Sequence, residues 1–273
     1  MKRILLISCF IFFGATICFA QSFRRHALEI GSEVYQFKYD EPRVMGEEGL
    51  MSGFYCSYTY HGWLYPSAPE LTSSLARIEA RFASGEVDYE NSGILNDIDD
   101  YTIEVRGLLG YDFEVSIASF LTPYVGVGYR YLNDDMGGLV TSTGAYGYER
   151  ESNYVYSPIG IEYLVRMGRD WSFGINAEGD VFWWGEQVSH LSDVSSVYND
   201  LENKQNKGYG LRGSVKLEKN SETFDFIIEP FIRYWNIKKS EEEVITVVGL
   251  LWGYGWEPKN NTTEFGCRIA LRF

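Results

Sequence analysis

Residues 263–273 read Thr263-Glu264-Phe265-Gly266-Cys267-Arg268-Ile269-Ala270-Leu271-Arg272-Phe273. Phe265, Cys267, Ile269, Leu271 and Phe273 fall on one face. Glu264, Gly266, Arg268, Ala270 and Arg272 fall on the other. A period of two is a strand with two chemically different sides. Chain ends of soluble domains are usually polar and frayed, so an alternating segment closing on an aromatic residue asks which solvent each side meets.

The same alternation recurs upstream. Ten strands are expected, over 27–39, 50–60, 71–85, 101–115, 121–132, 153–166, 171–184, 208–217, 223–238 and 263–273. Most are longer than the five or six residues usual in soluble sheets, and match the roughly 9–11 that a tilted strand needs to cross a bilayer. Between 171 and 184, Trp171, Phe173, Ile175, Ala177, Val181 and Trp183 oppose Asn176, Glu178 and Asp180. In 71–85, Ala76, Ile78, Ala80 and Phe82 oppose Arg77, Glu79 and Arg81. Connections 117–120, 167–170 and 218–222 are short, whereas 133–152, 185–207 and 239–262 are long. Short turns at one end and long loops at the other, with alternating strands, predict an all-β fold. The expected form is a closed antiparallel up-and-down transmembrane β-barrel of about ten strands, with eight or twelve as alternatives. Segment 61–70 is long for the short-turn side and leaves the count there least determined. Apolar faces are expected toward lipid, and the aromatics Tyr39, Tyr60, Trp63, Trp171, Trp183, Trp184, Tyr234 and Trp235 at the two interfaces. A soluble barrel would bury the charged faces or leave Trp-rich faces in water.

The N-terminus reads as an export signal. Lys2 and Arg3 precede an apolar run, and Cys18-Phe19-Ala20 before Gln21 fits a cleavage site, which assigns 1–20 to a removed peptide and 21–273 to one barrel domain. Cys9 lies too early for a lipoprotein signal, and Cys18 follows the bulky Ile17. Loss of Lys2 and Arg3 makes the formal charge of -14 more negative, which argues against nucleic acid as a partner. Cys56 and Cys267 offer no metal spacing. They lie on expected strands two inter-strand spacings apart, beyond disulfide reach, so free thiols are expected.

The closing segment resembles the C-terminal signature of bacterial outer-membrane β-barrel proteins, with Phe265, Ile269, Leu271 and Phe273 as its apolar positions. Leu121-Thr122-Pro123-Tyr124-Val125-Gly126-Val127-Gly128-Tyr129-Arg130-Tyr131 is similar to strands of small members of that family. The resemblance implies an outer-membrane location with both termini periplasmic. It also implies contact with outer-membrane lipid and with the barrel-assembly machinery that reads the last strand, and a monomer.

Charged residues on the inner faces are expected at Glu29, Glu33, Glu79, Glu104, Glu162, Glu178, Asp180 and Glu229, and at Arg77, Arg81, Arg106, Arg130, Arg212, Lys216, Arg233 and Arg268. Eight acids against eight bases, in a chain that is acidic overall, point to a lumen filled by paired charges, because a ten-stranded barrel is narrow. The alternative is a narrow solute channel, with Gly126, Gly128, Gly174 and Gly179 leaving gaps. Surplus acid collects at Asp88, Glu90, Asp97, Asp99 and Asp100, read as a loop. Of these, Asp97, Asp99 and Asp100 are candidates for a hard cation, although the spacing matches no known calcium loop. Residues 244–256 are too apolar for a free loop and are expected to form a hairpin extending the barrel, to fold over its mouth, or to offer Trp252, Tyr254 and Trp256 as a binding patch.

No cofactor motif and no credible triad are present, and a non-enzymatic protein is expected. Size and strand number resemble the omptin proteases, which pair aspartates on one side of a groove with an Asp–His pair on the other. Here Asp97 and Asp99 occupy the second loop and His190 and Asp193 the fourth. The omptin Asp-x-His spacing is absent, and His190-Leu191-Ser192-Asp193 has the wrong order. The same stretch resembles the His-x-Ser of outer-membrane lipid A deacylases, which lies there on a strand and here in a loop.

Overall fold

The computed structural model describes residues 24–62, 72–168 and 170–273. The strands are β1 (His26–Glu41), β2 (Met45–Gly62), β3 (Thr72–Glu90), β4 (Ile94–Ser116), β5 (Ser119–Asp135), β6 (Glu149–Met167), β7 (Trp171–Ser189), β8 (Leu201–Gln205), β9 (Gly208–Lys219), β10 (Asp225–Ile237), β11 (Glu243–Val247), β12 (Leu250–Gly255) and β13 (Asn260–Arg272). The sheet runs β6-β5-β4-β3-β2-β1-β13-β10-β9-β7, and β6 pairs with β7 to close it. Ten antiparallel strands therefore form a barrel without an edge, which satisfies every ladder hydrogen bond where no water is available. The closing strand β13 lies between β1 and β10, and the Leu28 and Phe273 amides and carbonyls bond reciprocally at 3.2 and 2.9 Å. Strand β8 extends β7 on the loop side, and β11 with β12 forms a separate two-stranded sheet. The signal segment, Trp63 and most of the 61–70 connection lie outside the described residues.

Around the waist, the outward face carries Ile30, Val34, Phe54, Ile78, Ile103, Leu109, Val125, Ile159, Ile175, Leu211, Phe265 and Ile269, all exposed. This is the apolar band that lipid would cover. Cys56 is exposed and Cys267 half-buried; β1 runs between them, and both thiols are free.

The strands run past this band at the long-loop end. Residues 88–100, read as a loop, belong instead to β3 and β4, joined by a tight turn at 91–93. There the outward residues Lys38, Glu48, Glu86, Asp88, Glu90 and Asp99 are exposed. Inward, Tyr35, Phe37, Tyr39, Met51, Val87, Tyr89, Ile98, Leu132 and Met136 make one buried cluster. Apolar residues thus do not face out along the whole strand; beyond the band the code inverts, because the outside there meets water. The interfacial expectation fails for Tyr39 and Trp235 for the same reason. Both share a face with inward charges, Glu33 and Arg233, and both are buried. Trp171, Trp183 and Trp184 are exposed as expected, the last two side by side where the β6–β7 register shifts.

Candidate functional site

The sixteen inner-face charges named from the sequence all lie on the inner face, buried or half-buried. Strand register accounts for many of the contacts. Glu79 stands opposite Arg106, Arg81 opposite Glu104, Glu178 opposite Arg212, and Arg268 opposite both Glu33 and Glu229. Their ion-pair distances are 2.6, 2.7, 3.1, 3.2 and 3.1 Å in that order. Opposite charges on facing positions stabilise one register over its slipped alternatives.

A second set of pairs crosses the lumen. Arg106 on β4 reaches Glu178 on β7 at 2.6 Å, Arg212 on β9 reaches Glu104 on β4 at 2.5 Å, and Arg77 on β3 reaches Glu162 on β6 at 3.0 Å. At the hub is Glu264, which the sequence reading left out although it shares the Arg268 face. Its carboxylate accepts hydrogen bonds from Arg81, Arg130 and Arg233 at 3.2, 3.2 and 2.9 Å. Tyr124 and Tyr156 were also missed. Their hydroxyls donate to Glu178 and Glu104 at 2.7 and 2.6 Å. Each ring lies over a glycine of the neighbouring strand, Gly160 and Gly128, where a Cβ would collide with it. The space at Gly128 is therefore filled by an aromatic ring. Gly174 borders a cavity of about 70 Å³ lined by Arg77, Glu79, Arg106, Glu162, Lys216 and Glu229. Toward the loops, Tyr154, Tyr156, Phe182, Trp235 and Ile237 form a second apolar cluster.

Above the apolar band, the interior holds a different set of charges. The Arg150 Nη2 atom lies 2.5 Å from Glu41 and 2.7 Å from Glu257. Asp134 and Glu47 stand farther from Arg150, at 3.7 and 3.9 Å. Burial, and then the neighbouring carboxylates, hold Glu47 and Asp100 well above the usual carboxylate range. Burial likewise pushes Asp134 up to about 6 and Glu257 up to about 7, in each case against the pull of Arg150. Of the three cation candidates read from the sequence, Asp97 and Asp99 are exposed on the outer surface, and Asp100 alone turns inward.

His190 has neither Asp97 nor Asp99 among its described partners. Its Nε2 lies 3.1 Å from Glu151 and its Nδ1 3.4 Å from Asp200. Asp193 instead accepts from the Glu149 amide at 3.0 Å. Burial would lower the His190 pKa, but the hydrogen bonds to Glu151 and Asp200 outweigh it and hold the imidazole above its usual range. Possible ligand atoms of Glu149, Glu151 and His190 come within 4.8 Å of one another, a grouping invisible to sequence spacing because it joins β6 to the residue that follows β7.

The 244–256 segment forms the β11–β12 hairpin. It is neither part of the barrel sheet nor buried: Leu250 is 74% exposed and Trp252 72%, with Tyr254 and Trp256 also open. The hairpin is fixed at its side by Asn199, whose amide donates to the Val244 carbonyl at 2.9 Å, and by a bridge between Tyr198 and Val247. Its tip turns through Val248 and Gly249, with φ of 53° and 76°. A two-residue turn with both φ positive suits the strand twist, but a β-branched residue there is strained.

No family model and no curated protein matches the sequence. Among solved structures, the outer membrane protease OmpT of Escherichia coli superposes with a TM-score of 0.59 at 8% identity, over 93% of this chain and 98% of that one. The translocator domain of the autotransporter NalP of Neisseria meningitidis aligns with a TM-score of 0.44 at 11% identity, over 92% and 89%. The toluene transporter TodX of Pseudomonas putida aligns at 0.36 and 9%, over 91% and 89%. At such identity the OmpT likeness is one of fold. With the closed ten-strand sheet and its apolar band, it makes this chain, in fold, an outer-membrane β-barrel.

Proposed function

We propose that the protein is a monomeric, non-conducting barrel of the outer membrane that acts at its long-loop end as a surface-contact protein. Both termini lie on the periplasmic side in this reading, the apolar band contacts lipid, and Phe265, Ile269, Leu271 and Phe273 are read by the assembly machinery. The carrying observation is the set of cross-lumen ion pairs, which leaves a cavity of about 70 Å³. That volume holds a few water molecules among the paired charges.

The β11–β12 hairpin supports the surface role. The hairpin is tied to the 197–199 segment along one side only. It also carries exposed apolar side chains and a strained Val248, an arrangement that lowers stability without filling any core. Trp252, Tyr254 and Trp256 are the anchors it would present. No reaction is assigned: the omptin-like residues Asp97, Asp99, His190 and Asp193 do not converge on one another.

The test is single-channel recording of refolded protein in planar bilayers, with folding verified by heat-modifiable migration. A silent folded barrel is the expected result. Steady conductance steps, enlarged by Arg130→Ala, would replace this reading with that of a narrow solute channel.

A further inference from the structure

An imidazole and two carboxylates gather on the outer face of the barrel at its loop end. Glu149 and Glu151 stand two residues apart on β6 and so share a face. That face is the outward one, since Arg150 and Ser152 in the alternate positions are buried. His190 follows β7, and its amide donates to the Glu149 carbonyl at 2.9 Å, which fixes the two backbones side by side. One ligand atom from each of the three side chains lies within 4.8 Å of the other two. His190 Nε2 is 3.1 Å from Glu151 Oε1. Donor atoms held tetrahedrally around Zn²⁺ at about 2.0–2.2 Å stand about 3.3–3.6 Å from one another, so small side-chain rotations close this set around one ion. All three side chains are half-buried, which leaves the site open to solvent.

The neighbouring groups hold the three in place. Asn133, 3% exposed, donates its side-chain amide to Glu149 Oε1 at 2.7 Å. The Glu149 backbone amide donates to Asp193 at 3.0 Å. His190 Nδ1 lies 3.4 Å from Asp200 Oδ2, and Asp200 Oδ1 accepts from the Ser192 amide at 3.0 Å. The imidazole thus turns one nitrogen to the two glutamates and the other to a carboxylate. This is how a metal-bound histidine is oriented, because a hydrogen bond from the second nitrogen fixes the ring and raises its basicity. Among the described residues, no Lys or Arg stands in ion-pair range of Glu149, Glu151, Asp193 or Asp200. The local field therefore favours a cation.

We infer that Glu149, Glu151 and His190 bind a divalent transition metal, Zn²⁺ in kind, with Asp200 as the positioning carboxylate behind the imidazole. The imidazole sets this group apart from an all-carboxylate site for Ca²⁺ or Mg²⁺. Cu²⁺ and Ni²⁺ favour square-planar or tetragonal surroundings, whereas Zn²⁺ has no electronic preference and accepts three protein ligands with a fourth position left to water. Metal and proton compete for Nε2; without metal the ring stays with Glu151 and Asp200. The ion would tie β6 to the 190–200 segment, whose Tyr198 and Asn199 hold the β11–β12 hairpin. Binding itself does not depend on what that hairpin contacts.

The experiment uses refolded full-length barrel without an affinity tag, stripped with EDTA in detergent and titrated with ZnCl₂ at neutral pH by calorimetry. Heat-modifiable migration verifies folding, and the rate of proteolysis within 190–200 is read in parallel. The expected result is one Zn²⁺ per chain and slower cleavage of that segment, with no such response to CaCl₂. His190→Ala loses both responses. Glu149→Gln/Glu151→Gln loses both as well, and decides the matter if His190→Ala does not refold. Asp200→Asn keeps the stoichiometry but weakens binding about 10–100-fold. His26→Gln, exposed at the short-turn end, keeps the full response. The inference is overturned if Zn²⁺ up to about 1 mM gives no saturable binding. It is equally overturned if binding survives in both ligand variants. Equal binding of Ca²⁺ and Zn²⁺, unchanged by His190→Ala, would show an acidic surface that attracts any cation, and would also overturn it.

Discussion

The waist of the barrel and its loop-end extension are built from the same strands with opposite codes. At the waist, β4 turns Ile103, Val105 and Leu109 outward and Glu104 inward. A few residues nearer the loops, the same strand turns Ile98 inward and Asp99 outward. The backbone does not change; the outer solvent does. Lipid outside the waist leaves the charges nowhere to go but the lumen, where they pair. Water outside the extension lets further charges out, and an apolar cluster gathers within beside the buried Arg150 group. A barrel's sequence therefore records where the membrane surface crosses each strand, as the point at which the apolar face switches sides.

The sharpest break in this comparison would come from the hub of the waist. Glu264→Ala leaves Arg81, Arg130 and Arg233 without their shared carboxylate. Denaturant unfolding in detergent should show a loss of about 3–5 kcal/mol or more. A loss under about 1 kcal/mol, the range of surface pairs, would mean that the lumen is solvated rather than interlocked.

The two isoleucines of β4 test the inversion directly. Ile98→Ala, in the buried cluster of the extension, should cost about 2–5 kcal/mol by the same measurement. Ile103→Ala, on the lipid-facing side, should cost clearly less, since it opens no internal cavity. Equal costs would erase the distinction between the two regions.

Gly128→Ala places a methyl group where the Tyr156 ring sits, and should lower stability by about 1–3 kcal/mol through displacement of that ring. In the exposed hairpin the sign reverses. Val248→Asn relieves a left-handed β-branched residue and should stabilise the β11–β12 turn by about 1 kcal/mol, measured by amide exchange within residues 243–255, with the barrel unaffected.

The smallest expected effect is a pH dependence in the 190–200 loop. The folded His190 pKa lies above its ordinary value of 6.5, so the protonated ring is the form held by Glu151 and Asp200. Its contribution is fully present below that unfolded value and is lost as pH rises through the raised folded value. Protease sensitivity of the loop should therefore increase above about pH 6.5, and His190→Gln should flatten the profile. A profile unchanged by the substitution would detach the loop from this pair.

The amino-acid sequence alone determined the barrel. Period-two alternation, strand lengths beyond the soluble norm, unequal connections and the closing segment through Phe273 led to ten antiparallel strands, because a two-sided strand can have only one face toward each solvent. The sixteen charges read onto the inner faces from the same alternation are buried or half-buried. Tertiary structure decided the rest. Glu264 became the hub only because β13 closes the sheet between β1 and β10. Tyr39 and Trp235 share strand parity with Glu33 and Arg233, so their inward side was local information, and the fold decided only what they pack against. Glu47 and Asp134 lie far apart along the chain and come beside Arg150 only because barrel closure brings β2 and β5 to the same end of the lumen as β6. Periodicity is a property of each strand and is written locally. Distances across a lumen are set by register, tilt and closure, which exist only once all ten strands have paired.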